Sequence, residues 1–135
     1  MRKYGFKATI FLVAGRETNE WDKGQSSEPE LRLLSKEEIL EMKKYEIEFG
    51  SHTLTHPDLT KIPLEAAKNE IFESKKQIEE IIQDEVITFA YPYGKLNQNL
   101  KEIVKQAGYE FGIATDSGSA AIDEDWFEIR RIILF

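Results

Sequence analysis

The sequence predicts an α/β fold in which parallel strands are covered by helices. Short apolar runs typical of buried strands alternate with apolar stripes at helical spacing along the chain. Polar loops containing Ser, Pro or Gly separate these segments. Such alternation forms a mostly parallel sheet, either closed as a barrel or open. The length of 135 residues suits one compact domain, and we assign residues 1–135 to a single unit.

The first predicted strand covers residues 8–13, with Gly5 before it and Gly15 after it. Two basic residues followed closely by Gly5 are typical of the last turn and cap of a helix. Residues 16–29 are polar and predict a long surface loop. The start of the chain therefore resembles the end of a helix that leads into a strand.

Two helices and a strand are predicted next. Ser35 and Glu38 have the spacing of a capping box, which marks the start of a helix. A short strand follows at residues 47–49. Pro63 marks the first turn of the longest helix. The apolar side of that helix comprises Leu64, Ala67, Ile71, Ile78 and Ile82.

The remaining elements continue the alternation. We predict a strand at 86–90, a loop at 91–97, a helix at 100–107 closed by Gly108, and strands at 111–114 and 129–134. Because parallel strands end at one face of their sheet, the loops at 51–60 and 91–97 are expected to converge there.

Composition excludes several classes of function. The formal net charge of -7 argues against nucleic acid as a partner, because phosphate binding needs clustered Lys and Arg. No apolar run approaches the length of a membrane span. The absence of cysteine excludes disulfides and thiolate metal sites.

The two histidines, His52 and His56, lie four residues apart in the loop at 51–60. That spacing can direct both imidazoles at one point, and neutral imidazole is a good ligand for zinc and neighbouring metals. Pro57 favours a turn over a regular helix at this place. The alternative is that both are solvated loop residues.

A second loop carries Tyr91, Pro92, Tyr93 and Gly94 at the end of a predicted strand. Taken alone, such a turn is more often structural. Three stretches together, residues 4–13, 51–60 and 89–94, resemble the polysaccharide deacetylases, also called carbohydrate esterase family 4 or NodB-like domains. The resemblance implies an incomplete, distorted (β/α) barrel of mostly parallel strands with its site at the strand carboxyl ends.

The resemblance also implies a function: metal-dependent removal of N-acetyl groups from a polysaccharide that contains N-acetylglucosamine. It implies a divalent metal, foremost zinc, with cobalt, nickel, manganese or iron as alternatives, bound by His52 and His56. The backbone N–H of Tyr93 would stabilise the oxyanion. The substrate would bind at the turn formed by Tyr91, Pro92, Tyr93 and Gly94. Members act in the bacterial cell envelope or outside the cytoplasm.

Some family features are absent from this sequence. It contains no Thr-Phe-Asp-Asp-Gly motif, which in the family supplies the aspartate ligand and the general base. Ala90 replaces a frequent arginine, so Arg131 or Arg130 is a candidate for the orienting charge, with a surface basic pair as the alternative. The late leucine and histidine of the family have no counterpart. Tyr91, Tyr93 and Trp21 or Trp126 could stack on sugars, although core or loop packing is commoner.

These departures lead to three expectations. The chain lacks the first strand and helix of the domain, so its own deacetylase activity is expected to be low or absent. A non-catalytic carbohydrate-binding remnant is the alternative function, and a metal-binding domain unrelated to sugars is a third. The strand at 8–13 would present an open edge, which predicts homo-oligomers.

Overall fold

The computed structural model describes residues 5, 7–22, 31–114 and 125–131. Five strands form a single parallel sheet: β1 (Ala8–Leu12), β2 (Ile47–Ser51), β3 (Thr88–Ala90), β4 (Phe111–Ala114) and β5 (Ile129–Arg130). Three α-helices connect the first four strands: α1 (Lys36–Lys43), α2 (Leu64–Ile82) and α3 (Gln98–Gln106). The predicted α/β class and parallel pairing are confirmed.

The strands lie in the sheet in the same order as in the sequence. In a doubly wound sheet the order reverses at a switch point, whereas in a (β/α) barrel each new strand is added on the same side. The observed order is that of a barrel. Within the described residues β1 pairs only with β2 and β5 only with β4, so the sheet is an open arc and the barrel is incomplete.

Local sequence signals set the helix boundaries. Ser35 and Glu38 form both halves of the predicted capping box at the start of α1. Helix α2 follows Pro63 and ends at Ile82, and its C-cap Gln83 has a left-handed φ of 53°. Asn97 caps α3 through a 2.9 Å bond from the Leu100 amide to its side chain.

The core lies between α2 and the sheet. The buried face of α2 carries Ala67, Ile71, Ser74, Ile78 and Ile82. It packs against α1, α3 and β2. Phe89 and Tyr91 fill the sheet side, and Leu100 and Val104 complete the cluster from α3. Burial of these apolar side chains is the main stabilising contribution to the fold.

Some strand boundaries differ from the predicted ones. β2 continues to Ser51, because pairing with β1 extends through Leu12. β3 begins at Thr88, although Val86 before it is fully buried. The predicted strand at 129–134 is described only as far as Arg131, and residues 132–135 lie outside the described residues. Residues 23–29 of the predicted loop at 16–29 also lie outside them. Among the described residues, no helix combines the length and apolar character needed to cross a membrane.

Candidate active site

Backbone hydrogen bonds between the ends of β1 and β2 continue into the loop that carries both histidines. The amide of His52 donates to the Leu12 carbonyl at 2.9 Å, and the amide of Ala14 donates to the Thr53 carbonyl at 3.0 Å. These bonds fix the loop at the carboxyl end of the sheet. The sequence placed the loop correctly, because a polar stretch directly follows a buried strand.

A tight turn then brings the two imidazoles together. Thr53 and His56 have left-handed φ angles of 71° and 60°. The Thr53 hydroxyl accepts a 2.9 Å bond from the His56 amide and donates to the His52 carbonyl. The ring centroids of His52 and His56 lie 4.6 Å apart with planes 69° apart. The predicted convergence of the pair is therefore present in the structure.

The environment of His52 keeps its imidazole neutral at neutral pH. Burial lowers the pKa of His52 to about 4, and the nearby His56 and Arg131 contribute to the lowering. The Nδ1 atom lies 2.7 Å from the Ala90 carbonyl oxygen. A carbonyl only accepts, so Nδ1 carries the proton and Nε2 keeps its lone pair. Such a second partner is typical of histidines that bind metals.

The turn after β3 lies beside the imidazole pair. The Gly94 amide donates to the Tyr91 carbonyl at 3.0 Å, and Tyr93 has a left-handed φ of 59°. Tyr93 is 44% exposed, and the centroid of its ring lies 4.8 Å from that of His56. The turn therefore presents Tyr93 next to the histidines, as the sequence predicted.

Tyr91 and Pro92 occupy the inside of this turn. The Tyr91 side chain has an exposed fraction of 0%, and its hydroxyl donates to the Phe127 carbonyl at 2.9 Å. Its ring packs against Phe89 with centroids 5.3 Å apart. Of the two roles considered for Tyr91, core packing is the one its position allows. Tyr93 and Gly94 form the accessible part of the predicted substrate-binding turn.

Arg130 at the end of β5 and Arg131 directly after it have side chains in different surroundings. The Arg131 guanidinium lies 5.6 Å from the Phe11 ring centroid, and its charge acts on His52. Arg130 instead lines a depression with Gly94 and Lys95. Side chains alternate along a strand, which explains the separation. Arg131 is the one that lies near the histidines.

A groove of about 480 Å³ contains the imidazole pair. The Trp21 ring stacks on His56 with centroids 4.6 Å apart and planes 20° apart. The groove is otherwise lined by apolar residues of β1, α1, α2 and the loop between β1 and α1, together with Arg16, Arg32 and Lys36. Trp126 is 61% exposed and packs on Phe111 instead, at a centroid distance of 5.7 Å. Trp21 is thus the tryptophan that belongs to the groove.

The donor set fits a divalent cation of the zinc type. Two neutral imidazoles are suitable ligands, and the tautomer of His52 directs Nε2 away from its carbonyl partner. Across residues 5, 7–22, 31–114 and 125–131, no group of three His, Asp or Glu side chains is placed to hold a metal ion. Zinc sites normally have at least three protein ligands. These residues therefore provide part of a site.

Comparison with known proteins identifies the family of the chain. Residues 1–112 match the sequence model of the polysaccharide deacetylase family. The chain belongs to the polysaccharide deacetylase family. It is 27% identical over 143 residues to the poly-beta-1,6-N-acetyl-D-glucosamine N-deacetylase of Staphylococcus aureus (strain MRSA252). This match covers 99% of this chain and 47% of that protein. It is 26% identical over 132 residues to the YxkH protein of Bacillus subtilis (strain 168). This second match covers 98% of this chain and 43% of that protein.

Solved polysaccharide deacetylase structures share the fold. The Streptococcus pyogenes deacetylase PplD, solved in complex with acetate, superposes with a TM-score of 0.80 at 27% identity. The match covers 97% of this chain and 54% of that one. The chain spans about half the length of the curated relatives it matches. The incomplete barrel predicted from the sequence is thus confirmed as a fold of this family.

One contact at the site had no signal in the sequence. The carbonyl that orients His52 belongs to Ala90. In the sequence, Ala90 is notable only because it replaces an arginine that is frequent in the family. Any residue at this position would offer the same backbone oxygen, so residue type carries no information about it. The contact requires knowledge of how β2 and β3 lie together.

Proposed function

We propose that this chain carries the metal-binding and oxyanion-stabilising part of a deacetylase that acts on N-acetylated polysaccharides. One observation carries the proposal: the imidazoles of His52 and His56 lie together, 4.6 Å apart, beside the turn formed by Tyr91 to Gly94. A divalent cation, foremost zinc, is the proposed cofactor. The name of the Staphylococcus aureus relative supports an N-acetylglucosamine polymer as substrate class. A place of action outside the cytoplasm or in the cell envelope is part of the proposal.

The residues of the site have separate roles in this proposal. His52 would bind the cation through Nε2, held by the Ala90 carbonyl, and His56 would bind beside it. The cation, when bound, supplies Lewis-acid polarisation of the amide carbonyl and a lowered pKa of water. Tyr93 would present its backbone N–H to the developing oxyanion. Arg131 supplies positive charge near the same edge of the sheet.

The proposal also predicts weak chemistry for these 135 residues on their own. The sequence has no Thr-Phe-Asp-Asp-Gly motif, and no third ligand accompanies the two imidazoles within the described part of the chain. A general base contributes about 10²–10⁴-fold to rate. The isolated chain should therefore bind metal weakly and release little or no acetate.

Metal titration and acetate release test the proposal. Calorimetry with ZnCl₂ should show one weak site in the wild type, weakened strongly in His52→Ala and in His56→Ala. Joining the amino-terminal Thr-Phe-Asp-Asp-Gly segment of a relative ahead of residue 1 should produce acetate from N-acetylated chito-oligosaccharides. An inert, folded fusion in the presence of zinc, or zinc binding that survives loss of both imidazoles, would exclude the proposed function.

A non-catalytic oligosaccharide-binding role is the second candidate. The two-ligand donor set of the described residues and the aromatic rings of Trp21 and Tyr93, which both contact His56, favour it. This candidate predicts that chito-oligosaccharides bind equally well with and without metal, and that His52→Ala leaves the affinity unchanged. The deacetylase proposal predicts that zinc strengthens oligosaccharide binding and that His52→Ala removes this gain.

A further inference from the structure

Helix α2 contacts the loop between the two histidines through one carboxylate. Glu70 Oε2 accepts bonds from the amides of Leu54 and Thr55 at 2.8 Å and 3.0 Å. Glu70 Oε1 accepts from the Thr55 hydroxyl at 2.7 Å. A single side chain therefore accepts three hydrogen bonds from the two residues that separate the turn at Thr53 from His56.

The same face of α2 also fixes the entrance of the loop. Ser74, one helical turn beyond Glu70, accepts a 2.7 Å bond from the Ser51 hydroxyl and donates to the Ile71 carbonyl at 3.1 Å. Ser51 and Ser74 are both fully buried. The residues just before His52 and just before His56 are thus attached to one rigid helix at two points.

This segment needs such support, because its backbone is unusual. Thr53 and His56 both have left-handed φ angles, which non-glycine residues rarely adopt. Such conformations persist only where the surroundings fix them. Bonds between a carboxylate and backbone amides are among the stronger hydrogen bonds, and an ionised carboxylate accepts only. Glu70 matches the three donors of the loop.

We propose that Glu70 is a positioning residue that holds the histidine loop in the geometry in which both imidazoles bind one divalent cation. The role of Glu70 in metal binding rests on the proposed function. The hydrogen bonds of Glu70 to the loop do not depend on that function. Glu70 acts through the backbone of Leu54 and Thr55, outside the imidazole pair. It is therefore assigned no contact with substrate or metal.

The test compares Glu70→Ala and Glu70→Gln with Glu80→Ala, a surface change two to three turns further along α2. Cobalt or zinc affinity should fall about tenfold in Glu70→Ala, in the range seen for supporting residues around metal sites. Glutamine keeps an oxygen that can accept both amide bonds, so Glu70→Gln should recover most of the affinity. Glu80→Ala should match the wild type. Equal affinities in Glu70→Ala and Glu80→Ala would overturn the proposal, and so would a Glu70→Gln variant as weak as Glu70→Ala.

Amide hydrogen exchange separates this inference from the metal chemistry. Without metal, exchange at Leu54 and Thr55 should be at least tenfold faster in Glu70→Ala than in the wild type, with the core amides of α2 unchanged. Unchanged exchange at both amides would overturn the inference, as would faster exchange accompanied by unchanged metal affinity. A wild type that binds no metal would count against the proposed function, while the exchange result would still decide whether Glu70 holds the loop.

A milder variant covers the case in which Glu70→Ala does not fold. Thr55→Val removes only the hydroxyl bond to Oε1 and keeps the side-chain shape. It should weaken metal binding two- to threefold and leave the melting temperature close to that of Glu80→Ala. A Thr55→Val variant with wild-type affinity and wild-type exchange at Leu54 would argue against positioning by Glu70.

Discussion

The Nδ1 atom of His52 lies 2.7 Å from the carbonyl oxygen of Ala90, the last residue of β3. This bond joins the loop after β2 to the neighbouring strand. Because it fixes both the tautomer and the direction of the ring, the orientation of a candidate ligand depends on sheet geometry. The site is therefore organised by backbone groups as well as by the side chains that a motif contains.

The first prediction concerns this tautomer. In metal-free protein at neutral pH, ¹⁵N NMR should show His52 as a neutral imidazole protonated at Nδ1, because a carbonyl oxygen accepts hydrogen bonds and never donates them. His56→Gln provides a variant in which the remaining histidine signal is that of His52. An Nε2-protonated ring in this variant would show that the bond to Ala90 does not form in solution.

The second prediction separates Tyr91 from Tyr93. Tyr91→Phe removes the buried hydroxyl bond to the Phe127 carbonyl and should lower the free energy of unfolding by about 1 kcal/mol, with oligosaccharide binding unchanged. Tyr93→Ala removes an exposed ring beside His56 and should weaken oligosaccharide binding with little loss of stability. Urea denaturation and calorimetry measure the two effects. The reverse pattern would mean that the buried tyrosine contacts the sugar.

The third prediction concerns the segment that leads into β5. A Cβ on Gly112 would lie 2.6 Å from the Phe127 carbonyl oxygen and 2.8 Å from the Tyr91 hydroxyl. Gly112→Ala must therefore displace this segment and should destabilise the fold by about 1–3 kcal/mol. Glu110→Ala, an exposed change in the same region, should stay within about 0.5 kcal/mol of the wild type in urea denaturation. Equal stabilities of the two variants would show that the segment yields freely.

The sequence predicted the elements that depend on local patterns. The capping box at Ser35, the apolar stripe of α2 and the left-handed Gly108 at the end of α3 all have local signals. The histidine spacing and its place after a strand likewise indicated the imidazole pair. Contacts that arise only from packing gave no such signal. Glu70 lies on a polar, helix-favouring stretch, and nothing in that stretch distinguishes it from Glu73 or Glu80.

The choice between Arg130 and Arg131 shows the same limit. Both are basic residues at the end of one strand, and their sequence positions are equivalent. Only the register of β5 against β4, with Arg130 opposite Ala114, decides which side chain reaches the histidines. Strand register depends on long-range pairing, which a single sequence does not contain.

The fourth prediction concerns acid stability. Lys101 lies 2.8 Å from Asp125 and 3.1 Å from Glu128. The bond from Lys101 lowers the pKa of Asp125 below its ordinary 3.8, against the opposing effect of burial. A carboxyl with a lowered pKa stabilises the fold above its unfolded pKa, and this contribution is lost as the pH falls from about 4 through the lower folded value. Lys101→Met should therefore be less stable than the wild type at pH 7, and the difference in stability should be smaller at pH 3.

Urea midpoints measured at several pH values check this sign. Between pH 7 and pH 3 the difference between the wild type and Lys101→Met should shrink. Lys105→Met changes an exposed lysine of the same helix and should follow the wild type at every pH. A gap between wild type and Lys101→Met that stays constant with pH would mean that packing of the lysine stem, and not its charge, stabilises the fold.

The last prediction concerns the free side of β1. Leu12 accepts from the His52 amide and Ala14 donates to Thr53, so the even-numbered residues of this stretch direct their backbone groups toward β2. Thr9, Phe11 and Val13 direct theirs outward, and within the described residues no strand pairs there. Open strand edges pair readily with other chains. We therefore expect the chain to self-associate as its concentration rises in sedimentation velocity.

Proline substitution tests which edge is used. Thr9 is exposed, and Thr9→Pro removes an outward N–H without removing a β1–β2 bond, so it should shift the protein toward monomer while keeping the fold. Ile10→Pro removes an inward N–H and should destabilise the sheet instead. A wild type that stays monomeric at high concentration would contradict the prediction. A Thr9→Pro variant that associates as strongly as Thr9→Ala would place the self-association elsewhere on the surface. Because Ile10 also packs against the core, Ile10→Ala controls for the loss of its side chain, as Thr9→Ala does at position 9, so that each proline is compared with an alanine that keeps the N–H.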